Sequence, residues 1–216
     1  MEILFVSDYV CPYCLVAKEA LSQALAETGM EADIVWQPFE LTQEPKPRVD
    51  TWNDQTRRAR YGVLVEPCKQ LGIDMKLPPN VVPRPYTRLA FEGWHYACAK
   101  GCGEAYNDLI YRAYFVDEKD IGEICVLKEL AVQVGLNGDD FAEALEKGTY
   151  REMQKKSADY SRNVLGIKSV PSIYVNGEKI NLSTYTKEEM IGILQEEAQR
   201  NAAPGFACGE DGCEMF

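Results

Sequence analysis

Strand-forming sequence occurs at the two ends of this chain and is absent from more than a hundred residues between them. Ile3 to Val6 is an unbroken apolar run that stops at Ser7-Asp8, the pattern of a strand buried on both faces. From Pro12 the apolar positions fall on one helical stripe, Cys14, Ala17, Leu21 and Ala24/Leu25, with Gly29 as the stop. A second strand reads from Asp33 to Phe39, so the near end is β-α-β with Cys11 at its first turn. At the far end Pro171-Ser172-Ile173-Tyr174-Val175 is a strand, Asn176-Gly177 a two-residue hairpin turn, and Lys179 to Leu182 the return strand. Thr186 and Glu189 have capping-box spacing and open a last helix that runs to about Arg200. The ends together make one α/β domain, split by whatever lies between them.

What lies between reads as helix. Pro45 and Pro47 mark the crossing, and Arg48 to Leu71 is mostly helical with a break or kink near Pro67. A proline-rich connector, Leu77 to Pro85, leads into a helix from about Tyr86 to Lys100. Further helical patterns cover Ala105–Val116, Glu123–Val134, Asp139–Glu146 and Tyr150–Leu165. The expected division is a discontinuous domain of residues 1–45 and 166–200, a helical insertion of residues 46–165, and a tail of residues 201–216 that carries a cysteine pair. No repeat of fixed period is present.

Composition narrows the function classes. Thirty-four acidic against 23 basic residues give a net charge of −11, a surface that repels phosphate backbones and anionic lipid. Neither nucleic acid nor membrane is an expected partner, and no stretch of 18 apolar residues could span a bilayer. The start lacks a basic n-region and a small-residue cleavage site, which points to the cytoplasm. Yet there are eight cysteines, and a reducing compartment does not keep structural disulfides.

Position on the fold separates them. Cys11 follows a strand and begins a helix, where partial positive charge and unpaired N–H groups favour a thiolate, the nucleophile of disulfide exchange. Pro12 suits the first helical position. Cys14 returns one turn later on the same side, close enough to resolve a mixed disulfide formed at Cys11. Half of a zinc site and a pair of inert core thiols are the other readings; the zinc reading lacks a second ligand pair. Cys208 and Cys213 flank Gly209-Glu210-Asp211-Gly212, a spacing that can close a disulfide, so they are a candidate accessory redox pair; a metal-binding tail and no role are the other readings. Cys98 and Cys102 lie one helical turn apart with His95 on the same face. A metal cluster there lacks a fourth ligand, so buried thiols near a core histidine are expected. Cys68 and Cys125 read as packing residues, and no metal is expected. Trp52, Trp94, Tyr96, Tyr106, Tyr111 and Tyr114 can line a cleft or fill a core, and helical spacing favours the core.

Ser7-Asp8-Tyr9-Val10-Cys11-Pro12-Tyr13-Cys14 after a first strand resembles the DsbA-like branch of the thioredoxin superfamily, and within it the FrnE-like group. Trp36 to Leu41, Tyr111 to Phe115 and Gly166 to Pro171 carry the same likeness, which spans residues 1 to about 200. The resemblance implies a thioredoxin fold with a helical domain inserted as a roof over the dithiol. It also implies a cis Val170–Pro171 bond beside Cys11, with the Val170 backbone free to pair with an extended substrate. Two features depart from the DsbA pattern. Pro12-Tyr13 replaces the Pro-His of a strong oxidant, which implies a milder one, and the start has no export signal.

The expected function is thiol–disulfide exchange on protein or peptide disulfides, with Cys11 as nucleophile, Cys14 resolving, Pro12 and Tyr13 shaping the motif, and Val170 and Pro171 contacting substrate. No bound cofactor is expected; glutathione is a candidate co-substrate and a thioredoxin-type protein a candidate reductant. The alternatives are a glutathione-dependent isomerase or transferase of the related kappa and 2-hydroxychromene-2-carboxylate isomerase type, and a peptide-binding chaperone.

Overall fold

The computed structural model describes residues 1–202. β1 (Glu2–Ser7) enters a turn and becomes α1 (Pro12–Thr28), which stops at Gly29, a left-handed residue whose N–H caps the Leu25 carbonyl at 2.9 Å. β2 (Asp33–Pro38) then lies parallel to β1, pairing Phe5 with Trp36. After the helical excursion β3 (Ser172–Val175) adds antiparallel to the other side of β1, pairing Phe5 with Ile173, and β4 (Glu178–Ile180) completes the order β2-β1-β3-β4. Asn176 (φ 49°) and Gly177 (φ 87°) are both left-handed, as a hairpin of this hand requires. α9 (Lys187–Ala202) returns across α1, and Lys187 Nζ meets Glu27 at 2.6 Å.

The excursion contains α2 (Gln55–Tyr61), α3 (Val65–Leu71), α4 (Arg88–Ala99), α5 (Gly103–Phe115), α6 (Ile124–Gln133), α7 (Gly138–Glu146) and α8 (Arg151–Asp159). It sharpens one expectation. Residues 48–71 are mostly helical with a break ahead of Pro67, as expected, but the helix begins only at Gln55, because Asp50 accepts the N–H groups of Trp52 and Asn53, at 3.0 and 2.9 Å, and so stabilises a turn. Asp54 then caps α2 through the Arg57 N–H at 2.9 Å. A 3₁₀ turn over Gly62–Leu64 separates α2 from α3, and Pro67 sits in the first turn of α3, where its missing N–H costs nothing. α8 continues into a π-helical turn, Tyr160–Val164, and lies along β2, where Gln37 Nε2 donates to the Ser157 carbonyl and Ser161 Oγ at 2.8 and 2.9 Å.

One apolar core runs through both parts. Ile3, Phe5, Val16 and Leu21 from the sheet side join Phe91, Tyr106, Ile110, Tyr111 and Phe141 from the excursion. Tyr9 is the joint: it leaves the end of β1 and packs its ring between Phe91 of α4 (4.4 Å) and Tyr111 of α5 (5.1 Å). Inside the excursion α4 passes close to α5 and α7 at Gly93. A Cβ there would stand 2.7 Å from Phe141 Cζ and 2.8 Å from the Tyr106 hydroxyl, and both rings are fully buried. Gly93→Ala should therefore lose about 1–3 kcal/mol of stability, read from the midpoint of urea unfolding.

Candidate active site

β1 delivers four residues to the tip of α1. Cys11 is the N-cap, with φ −98° and ψ 111°, and its N–H is held by the Asp8 carbonyl at 3.1 Å. Its thiol donates to the Val170 carbonyl at 3.4 Å, closing a contact across 159 positions. The next peptide bond, Val170–Pro171, is cis. Ser172 Oγ donates back to the Ser169 carbonyl at 2.9 Å and fastens this loop to the start of β3.

Cys14 lies one turn deeper. Cys11 keeps 4% of its surface exposed and Cys14 none, so only the first is reachable from outside. Burial pushes the Cys14 thiol well above the ordinary thiol range. Cys11, within hydrogen-bonding reach, and the charge of Asp8 push it the same way, against the Asp8 backbone N–H. Asp8 is itself fully buried, and burial raises its carboxyl above the usual carboxylate range. The Leu41 N–H, which donates to Oδ2 at 2.7 Å, the Arg84 charge and Thr87 oppose that rise, and Oδ1 has no partner among the described residues. Glu40, beside it, is also pushed up by burial, against a 2.7 Å hydrogen bond from Gln154 Nε2.

Tyr13, between the cysteines, is gripped from two directions. Its hydroxyl donates to the Arg60 carbonyl of α2 at 2.9 Å, and its ring meets that of Tyr185 at 5.3 Å. Tyr185 holds a left-handed backbone, φ 58°, uncommon for an aromatic residue. The Glu189 carboxylate supports it by accepting the N–H groups of Ser183, Thr184 and Tyr185 at 2.6, 2.9 and 2.9 Å. Burial, and then the charges of Cys11 and Cys14, push the Tyr185 hydroxyl up to about 12.

A buried dithiol at a strand–helix junction, facing a loop that ends in cis proline, sits on the sheet described above, and sequence comparison agrees with that geometry. The DSBA-like thioredoxin domain family matches residues 2–189. The chain belongs to that family. Protein YwbO of Bacillus subtilis strain 168 is 37% identical to this DsbA-like chain over 176 residues, 81% of this chain and 86% of YwbO. Among solved structures, a probable DsbA oxidoreductase of Streptomyces coelicolor has the same fold, with TM-score 0.75 and 22% identity over 100% of this chain and 99% of that one. The cytosolic disulfide reductase DsbM of Pseudomonas aeruginosa also shares it, at TM-score 0.67 and 18% identity over 93% and 100%. So does a 2-hydroxychromene-2-carboxylate isomerase, at TM-score 0.73 and 16% identity over 94% and 98%.

The DsbA-like site gathers Cys11, Pro12, Tyr13, Cys14, Val170 and Pro171 in one place. Cys208 and Cys213 lie outside the described residues. The other cysteines correct the expectation of buried thiols: only Cys68 is buried, Cys102 is half-buried, and Cys98 and Cys125 are exposed, because they stand at the ends of α4 and α6 where those helices meet solvent. His95 is instead engaged with Gln154, Nε2 lying 3.1 Å from Oε1, and burial lowers its basicity. No cluster of three or more metal-binding side chains occurs among the described residues. Tyr96, Tyr106, Tyr111 and Tyr114 are core residues, as helical spacing suggested, and Trp94 packs against that core. Trp52 instead lies under the Arg58 guanidinium at 5.3 Å.

Sequence reasoning missed Asp8, Tyr185, Glu189 and Arg60. A lone acid between a buried strand and the dithiol was a readable signal for Asp8; the other three meet only in the fold. Because burial raises the Asp8 carboxyl in the native state, its protonated form favours folding. That stability is complete below the ordinary carboxylate range and is lost as pH rises through the raised native value. Asp8→Asn keeps an acceptor for Leu41 and removes the buried charge. The variant should melt higher than the parent at pH 7, by a margin that closes as pH is lowered to about 3; thermal unfolding across that range checks it.

Proposed function

We propose that the protein is a thiol–disulfide oxidoreductase for protein or peptide disulfides. The observation that carries this reading is the pairing of Cys11, at the helix terminus and against the Val170 carbonyl, with Cys14 wholly enclosed behind it. Cys11, as thiolate, attacks one sulfur of a substrate disulfide, and the other sulfur leaves as a thiolate that takes a proton. Cys14 gives up its proton and attacks the Cys11 sulfur, which releases the second substrate thiol and leaves a Cys11–Cys14 disulfide. Two electrons pass to the substrate, and the reverse sequence oxidises it. Burial keeps Cys14 protonated until this second step, and Asp8, whose charge acts on Cys14 and whose Oδ1 is unpartnered among the described residues, is the candidate base for it. Pro12 presets the first helical turn, and Pro171 ends the loop whose Val170 backbone lies beside the reacting sulfur, where an extended substrate can pair.

A cytoplasmic setting, with glutathione or a thioredoxin-type protein restoring the dithiol, belongs to the same proposal. Among the described residues no helix is long and apolar enough to cross a membrane. The structure of DsbM with glutathione shares this fold and makes glutathione a reasonable probe. A glutathione-dependent isomerase has no need of a second thiol, so the placement of Cys14 supports exchange.

Cys11→Ser should abolish insulin reduction and scrambled-ribonuclease turnover, and undiminished turnover would overturn the assignment. Cys14→Ser should still react once and accumulate a Cys11 mixed disulfide visible by mass spectrometry. Tight glutathione binding by calorimetry, joined to an active Cys14→Ala variant, would instead establish the isomerase.

A further inference from the structure

A basic segment of an acidic chain borders the dithiol. The chain has 34 acidic and 23 basic side chains, yet α2 carries Arg57, Arg58 and Arg60 and no acidic residue. α2 is pinned to the site through the Tyr13–Arg60 hydrogen bond. Arg57 is engaged by Asp54 at 3.4 Å, and Arg58 by the Trp52 carbonyl and ring. The Arg60 side chain is exposed and forms no ion pair among the described residues. The loop before Pro171 brings Lys168, likewise exposed and without an ion pair among the described residues, two positions from the carbonyl that Cys11 touches. Three carboxylates of these segments already have hydrogen-bond partners, Asp50 and Asp54 ahead of α2 and Glu189 on the Ser183–Tyr185 amides, and Asp8 is buried. Tyr13 and Tyr185 add apolar surface to this rim of the dithiol.

We propose that this rim selects disulfides set in acidic protein segments, with Arg60 and Lys168 taking carboxylates that flank the attacked cysteine on either side. The inference rests on the exchange reaction proposed above and adds its substrate class. A guanidinium offers a carboxylate a two-pronged hydrogen bond, and an exposed ammonium offers a point charge. The net charge of −11 disfavours an acidic segment over the molecule as a whole, so local basic groups beside the dithiol would count in its approach.

The test compares two synthetic peptide disulfides that differ only in whether Glu or Gln flanks the cysteines. With the wild-type full chain at low ionic strength, kcat/KM for the Glu peptide should exceed that for the Gln peptide by about threefold to tenfold, the range of one or two exposed ion pairs. The advantage should shrink towards parity at about 0.5 M salt. In the double variant Arg60→Glu/Lys168→Glu the order should reverse. The same ratios should appear in fluorescence-anisotropy binding of labelled peptides with Ser in place of Cys, a readout without chemistry. A Glu-to-Gln ratio near one in the wild type, or a ratio unchanged by charge reversal, would overturn the rim while turnover of the Gln peptide left the exchange reaction standing. Ser-peptide binding that follows the predicted ratios, with neither disulfide turned over, would keep the rim and remove the exchange reaction.

Discussion

β1 is the element to which the rest of the molecule is referred. Among the described residues it is the only strand with hydrogen-bonded neighbours on both sides that also leads directly into the site, and Ile3, Phe5 and Val6 are fully buried along it. Such a strand has no freedom of register, because a slip of one residue would turn its buried face outward on both pairings. The residues after it inherit that fixed frame and are dealt out in different directions: Asp8 beneath the sheet end, Tyr9 into the helical excursion, Cys11 to the tip of α1. The site is precise because three unlike side chains leave one immobile strand within four positions.

Burial around that point is partly polar. Asp8 and Glu40 are nearly or wholly enclosed and only partly compensated, Asp8 chiefly by the Leu41 N–H and Glu40 chiefly by the Gln154 side-chain amide, with arginine charges adding to both. An enclosed acid that is only partly satisfied lowers stability relative to an apolar residue. The neighbouring tyrosines do the opposite work. Tyr9, Tyr106 and Tyr111 bring large apolar rings that weld the excursion to the sheet and exclude water from the inner thiol.

Much of this is legible in the sequence wherever one local signal is sufficient. Four successive apolar residues mark β1, Asn176-Gly177 marks the hairpin, and cysteines three apart after a strand mark the dithiol. The family likeness carries the excursion and the loop before Pro171. In residues 48–71 periodicity finds the helices but not their start, because it hides the side-chain turn at Asp50 and the cap at Asp54. The exposure of Cys98 and Cys125 depends on where helices end against solvent, which periodicity does not report. Tyr185 is invisible for a deeper reason: its left-handed backbone exists only because Glu189, four residues later, gathers three amide groups. A spacing read as a capping box thus builds a wall of the site; Thr186 Oγ1 still receives the Glu189 N–H at 3.2 Å.

Tyr13 ties that wall to the roof. One residue of the reactive turn holds the inserted helices by its hydroxyl and the β4–α9 loop by its ring. The turn is therefore a rivet joining two bodies that sequence places far apart. Any hinge motion of the excursion must either drag that rivet or shear it, so the gap between roof and sheet and the posture of the two sulfurs are mechanically one variable.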